Sequence, residues 1–176
     1  MKKFLKYAVL ALLISSATSC YTEKKVYNRV VDTEKYGKML LGRQTISQFS
    51  KEPFSEWYSE EYMEYEFDPQ VIKALQKNRI NSYEILVFLG SWCGDTHREL
   101  PRLIKILDAV KYPQQKLQLI ALNRKMEAPS GEDMHQGIKR VPTIIVKRFG
   151  KEYGRIVETP QSGSIEQDLL DIIKKK

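Results

Sequence analysis

The residues best suited to do chemistry lie together in Trp92-Cys93-Gly94-Asp95-Thr96-His97-Arg98. Cys93 is one of only two cysteines, the other being Cys20. A thiol acts as a nucleophile through its thiolate, and the unpaired N–H groups at a helix start favour that anion. A helix is expected here from about Thr96 to Val110, because Leu100, Leu103, Ile104, Leu107 and Val110 follow a 3.6-residue period. His97 and Arg98 bring positive charge to its first turns. Asp95 opposes them if its carboxylate faces the sulfur, and otherwise only complements the helix dipole. Thr96 has two compatible roles, donating a hydrogen bond to the Cys93 sulfur or satisfying backbone groups at the helix start. Trp92 either shields the sulfur and offers a flat contact surface, or packs on the end of a sheet. Cys93 and His97 also have the i, i+4 spacing of two soft-metal ligands. His135 is the only other histidine, so no full ligand set is visible and neither a metal nor a cofactor is expected.

The elements that must position this segment show in the apolar pattern. Ile85–Leu89 is a continuous apolar run, the mark of a strand buried on both faces, and it leads directly into Gly90-Ser91-Trp92-Cys93. Leu117–Leu122 is a second such strand, expected as its parallel neighbour across the helix. Val141-Pro142-Thr143-Ile144-Ile145-Val146 opens a third strand, Phe149-Gly150-Lys151-Glu152 a turn, and Tyr153–Glu158 a fourth strand. Residues 123–140 are polar, with room for one short helix. Ser164 is expected to cap a last helix bearing Ile165, Leu169, Leu170, Ile172 and Ile173. Upstream, Phe54, Trp57, Tyr58, Tyr62 and Tyr65 recur at helical spacing after Pro53, and Asp68-Pro69 opens a second helix. That aromatic stripe suits a packing face against the following sheet.

The N-terminal residues 1–19 have the layout of a signal peptide: Lys2, Lys3 and Lys6, then an apolar stretch from Tyr7 to Ile14, then small residues. The stretch is too short for a spanning helix. Ala17-Thr18-Ser19-Cys20 resembles a bacterial lipobox, with Ala17 where a larger aliphatic residue is usual. Lipidation at Cys20 and anchoring in the bacterial cell envelope are therefore expected, with residues 20–38 as the linker and 39–176 as the folded domain. Those three lysines contribute to a net charge of +7 on 176 residues, and the remaining bias is mild. No basic block interleaved with aromatics marks a nucleic-acid partner. The composition excludes a disulfide scaffold and a multi-pass membrane protein.

Strand, Trp92-Cys93-Gly94, helix, strand, Val141-Pro142-Thr143 strand, hairpin and helix together resemble the thioredoxin family. Pro101 lies eight positions beyond Cys93, where that family kinks its helix. Pro142 stands at the position of the family's cis-proline. The likeness covers residues 82–176. It implies a three-layer α/β/α fold with a mixed sheet, here with a helical extension over 39–80. It also resembles a bacterial envelope branch of thioredoxin-like proteins, often lipoproteins. What departs from the family is the second half of its chemistry. Thr96 replaces the resolving cysteine, and Val87 stands where a buried acid would help that cysteine ionise. The resemblance then implies monothiol exchange: Cys93, assisted by Thr96, attacks a disulfide, and an external thiol releases the mixed disulfide. Trp92, Val141, Pro142 and Thr143 would bind an extended substrate in the manner of strand addition. The partner would be a disulfide-containing protein or a low-molecular-weight thiol. The alternatives are a non-catalytic peptide-binding module using the same groove, and a metal chaperone using Cys93 and His97.

Overall fold

The computed structural model describes residues 27–175 apart from Tyr36, so the signal segment and Cys20 lie outside the described residues. Among the described residues, six strands and four α-helices follow one another: β1 (Arg29–Thr33), β2 (Gly37–Gln44), α1 (Ser55–Glu64), α2 (Pro69–Lys77), β3 (Glu84–Leu89), α3 (Gly94–Ala109), β4 (Leu117–Ala121), β5 (Thr143–Arg148), β6 (Lys151–Val157) and α4 (Ile165–Lys174). The strands form one mixed sheet in the order β1-β2-β4-β3-β5-β6. β3 and β4 are parallel, with Phe88 opposite Ile120, and the other pairs are antiparallel. The chain is therefore an α/β protein with β3 at the centre of the sheet. Both central strands, and the β5–β6 hairpin, fall where the apolar runs place them.

Alternation along the central strands sorts two cores. Ile85, Val87, Leu89, Leu119, Ala121, Ile144, Val146 and Ile156 join a large cluster with apolar residues of all four helices. Phe88, Ile120 and Ile145 point the other way and meet Leu122 and Val141, with Met126, Ala128 and Ile138 packed against them. Among the described residues, then, the α-helices lie against one face of the sheet, and the expected second helical layer is not there. The second face is covered by the irregular 122–142 connection. Its turns are held by side chains: Asn123 Oδ1 accepts from the N–H groups of Lys125 and Glu127, and Asp133 Oδ1 accepts from Ala128 N–H. Left-handed backbone at Met126, Gly131, His135 and Gly137 breaks any helical run.

Two further expectations change. Residues 29–44, anticipated as tether and helix, are the β1–β2 hairpin, with pairs running from Arg29–Leu41 to Thr33–Gly37. β1 is a mostly exposed edge strand, so its charges face water and it shows no buried alternation. β2 pairs with β4 and buries Met39 and Leu40. Ser164 sits at the N-cap of α4 without a side-chain bond. Asp168 holds the approach to that helix instead, its carboxylate accepting from the N–H groups of Gln161 and Ser162.

The helices upstream form as anticipated. Asp68 caps α2 by accepting from Gln70 N–H at 2.7 Å, with Pro69 in its first turn. The α1 stripe is a packing face. Tyr58 stacks on Phe49, and Trp57 meets Phe49 edge-on. Polar contacts tie α1 to α3: Arg102 Nε to Glu61 at 2.6 Å and Tyr62 Oη to Asp108 at 2.8 Å. Lys105 Nζ donates to the carbonyls of Met63 and Tyr65, which the end of α1 leaves open.

Candidate thiol site

The central parallel strand β3 ends at Leu89, and four residues turn the chain into α3. Cys93 is the N-cap residue of α3, with extended backbone and no cap bond from its side chain. Its backbone closes the turn, Cys93 N–H donating to Gly90 O at 2.9 Å and His97 N–H donating to Cys93 O at 3.1 Å. The half-buried thiol donates to the carbonyl of Val141 at 3.1 Å. The Val141–Pro142 peptide is cis. The sulfur, a helix start and a backbone carbonyl from a distant loop therefore meet at the carboxyl end of β3. No hydrogen bond to the Val141 N–H forms among the described residues.

Gly90 makes this turn possible. A Cβ there would stand 2.8 Å from Trp92 Cε2 and 3.0 Å from a Val141 methyl. Trp92 lies across that bare backbone, its Nε1–H donating to Leu122 O at 3.0 Å, and the guanidinium of Arg124 sits 4.8 Å from its ring centre. Its ring is thus packed on the sheet end while staying half-exposed beside Cys93. Thr96 is fully buried, and its Oγ1 accepts from Gly90 N–H at 3.2 Å. Of the two roles expected for Thr96, the local backbone one is the bond present. Thr143 is buried as well, and its hydroxyl donates to Arg140 O at 2.7 Å, so its side chain braces the loop.

The charges around the start of α3 are largely matched to one another. Arg98 holds Asp95 at 3.0 Å and Glu99 at 2.7 Å, so its charge is engaged by two carboxylates and not by the sulfur. Glu99 is buried, with one carboxylate oxygen lacking any partner, and burial pushes its carboxyl above the usual range despite Arg98. His97 turns to the helical layer. Its Nε2–H donates to Ser91 O at 2.8 Å, and its ring stacks on Trp57 at 4.3 Å and 9°. No group of three or more His, Cys, Asp or Glu residues that could hold a metal occurs among the described residues.

Three contributors to the site were not anticipated. Ser91 Oγ accepts from the buried Leu40 N–H at 2.9 Å, joining β2 to the thiol turn. Trp57, from α1, backs His97. Leu122 O fixes Trp92. Only Trp57 carried a signal in sequence, as part of the aromatic stripe. Ser91 acts through a hydroxyl that no local pattern marks, and Leu122 through a carbonyl that every residue has.

No protein family matches the sequence, and no curated protein matches it. Among solved structures the chain is similar to a protein of unknown function from Pseudomonas aeruginosa, at 18% identity and a TM-score of 0.53, over 68% of this chain and 83% of that one. It is also similar to an HIV epitope scaffold at 17% identity and a TM-score of 0.49, over 68% and 81% of the two chains. At such identity the first likeness concerns the fold alone, and it agrees with an α/β protein built on a mixed sheet.

Proposed function

We propose that this is a thioredoxin-like envelope lipoprotein that performs monothiol disulfide exchange through Cys93. One observation carries the reading: a half-exposed thiol caps the helix after the central strand and lies 3.1 Å from the carbonyl preceding a cis-proline. Cys93 as thiolate attacks one sulfur of a substrate disulfide. The substrate S–S bond breaks, a Cys93–substrate disulfide forms, and the other substrate sulfur leaves as a thiolate. An external thiol then attacks the mixed disulfide and frees the second substrate sulfur or Cys93. A further external thiol then reduces the mixed disulfide that the first has formed, regenerating Cys93 or freeing the second substrate sulfur, so two external thiols end as one disulfide. The Val141 N–H, which has no partner among the described residues, supports strand-like pairing with an extended substrate once the loop admits one. The thioredoxin-type fold is part of this proposal, supported by the β3–α3–β4 unit and the β5–β6 hairpin with α4 on the same sheet. Lipidation at Cys20 belongs to it as well.

The test is direct. The folded protein incubated with glutathione disulfide should gain one glutathione on Cys93, read by mass spectrometry, and lose it on addition of a monothiol. Cys93→Ala should abolish the adduct and any disulfide reductase activity. A Cys93 that stays unmodified in the folded protein would remove the exchange reading. The same groove would then serve as a peptide-binding module, a reading favoured by the thiol's bond to Val141 O, which keeps sulfur and loop together without chemistry.

A further inference from the structure

We propose that the end of the sheet opposite Cys93 docks on an anionic phospholipid bilayer, with Phe149 inserted at the headgroup level. The β5–β6 turn reads Lys147-Arg148-Phe149-Gly150-Lys151. Glu84, the first residue of β3, pairs with Lys147, which places this turn at the amino end of β3 while Cys93 follows its carboxyl end. Phe149 is 89% exposed, more than any other large apolar residue described. Arg148 lies 5.1 Å over its ring and 5.2 Å over that of Tyr83.

Tyr83 gathers further basic residues around the turn. Its hydroxyl donates to Ile173 O at 3.3 Å, bringing Lys174 and Lys175 to the same end. Asn81 donates to Lys111 O, and Lys116 Nζ donates to Asn81 O. Arg79, Lys111, Lys151, Lys174 and Lys175 are all exposed, and none is ion-paired among the described residues. Against them stand Glu84, Asp108 and Asp171, Asp108 accepting from Tyr62 Oη, while Glu152 is held by Arg155. The result is a basic end with one bare aromatic ring at its tip.

That combination fits a bilayer. Lysines at the phosphate level are drawn to anionic lipid, each strengthening binding about fivefold, while an aromatic ring reaches below them into the interface. The course of the chain agrees. Tyr27, the first described residue, shares a cavity of about 460 Å³ with Gln114, Gln115 and Leu117 at the start of β4, which is this same end. Cys20 stands seven positions earlier, within about 25 Å of extended chain. An acyl group there would act with the basic patch as two signals of one attachment. The thiol would then face away from the membrane, open to soluble partners.

The experiment uses the mature-length chain, residues 20–176, carrying Cys20→Ser, so that neither an acyl group nor the basic, apolar signal segment contributes. Binding is measured to vesicles of phosphatidylcholine alone and of phosphatidylcholine with about one-third phosphatidylglycerol. Anionic vesicles should bind the chain more tightly, and less so as salt rises. The triple variant Lys151→Gln, Lys174→Gln, Lys175→Gln should lose on the order of a hundredfold. Phe149→Trp should add a blue-shifted emission with anionic vesicles only. Equal binding to both vesicle types, a triple variant that binds as the parent does, or an emission of the Phe149→Trp variant that vesicles leave unmoved would each overturn the proposal. Reactivity of Cys93 with glutathione disulfide reads the thiol site separately, so either idea can fail alone.

Discussion

On the proposed reading Thr96 stands where a dithiol protein would keep its second sulfur, and in the structure it braces the turn. Its Oγ1 is the acceptor for a buried Gly90 N–H. Thr96→Val keeps the shape and removes the acceptor, leaving that N–H without a partner. The expected cost is about 1–3 kcal/mol, read as a lower urea midpoint, with Thr96→Ser close to wild type. If Thr96→Val changed the reaction rate of Cys93 at unchanged stability, the hydroxyl would serve the sulfur instead. A single residue thus separates a structural from a chemical role. Gly90 argues alike: the close approach of Trp92 and Val141 excludes any side chain at that position.

At the scale of elements, α3 joins the thiol turn to α1 through charged and aromatic contacts. Glu99 lies in that interface, and its burial raises its folded-state value above the ordinary 4.5. A carboxyl raised in the folded state contributes stability that is full below about pH 4.5 and is lost as pH rises through the folded value. Glu99→Gln should remove that loss, so the variant gains on wild type as pH rises from 4.5 toward neutrality, measured by urea unfolding at a series of pH values. Glu152 has the opposite sign, because its hydrogen bond with Arg155 lowers it. Its contribution is present above about 4.5 and is lost as pH falls through its folded value. A Glu99→Gln variant that tracks wild type at every pH would show that the buried carboxyl gains a compensating partner.

For the whole molecule, the thiol and the basic tip occupy opposite ends of one sheet, about 20 Å apart along six residues of β3. An anchor at Cys20 would join the molecule to the membrane from the tip side. The mature chain is expected to begin at Cys20 and to carry acyl mass there, with both features lost in Cys20→Ser. A mature N-terminus at another residue, found by intact-mass measurement, would end the anchor reading. The β1–β2 hairpin matters at this scale too. It extends the sheet beyond β4 and reaches the thiol turn through the Leu40–Ser91 bond.

Much of this was legible in the order of residues. The apolar runs at Ile85–Leu89 and Leu117–Leu122, the helical period after Cys93 and the Asp68-Pro69 start are local signals, because burial on both faces, helical periodicity and capping each act over a few residues. They sufficed to place Trp92 and Cys93 between a buried strand and a helix, whereas Pro142 was named as their neighbour only through the resemblance to thioredoxins. The β1–β2 hairpin was not legible, since an edge strand facing water has no apolar alternation to show. Nor was the covering of the second sheet face, where side-chain-braced turns at Asn123 and Asp133 replace a helix. The partners of Ser91, Trp92, Cys93 and His97 were settled only by folding. Each side chain has several possible partners in sequence, and the ones taken lie as far away in the chain as Leu40, Leu122, Val141 and Trp57, atoms that packing alone brings within reach.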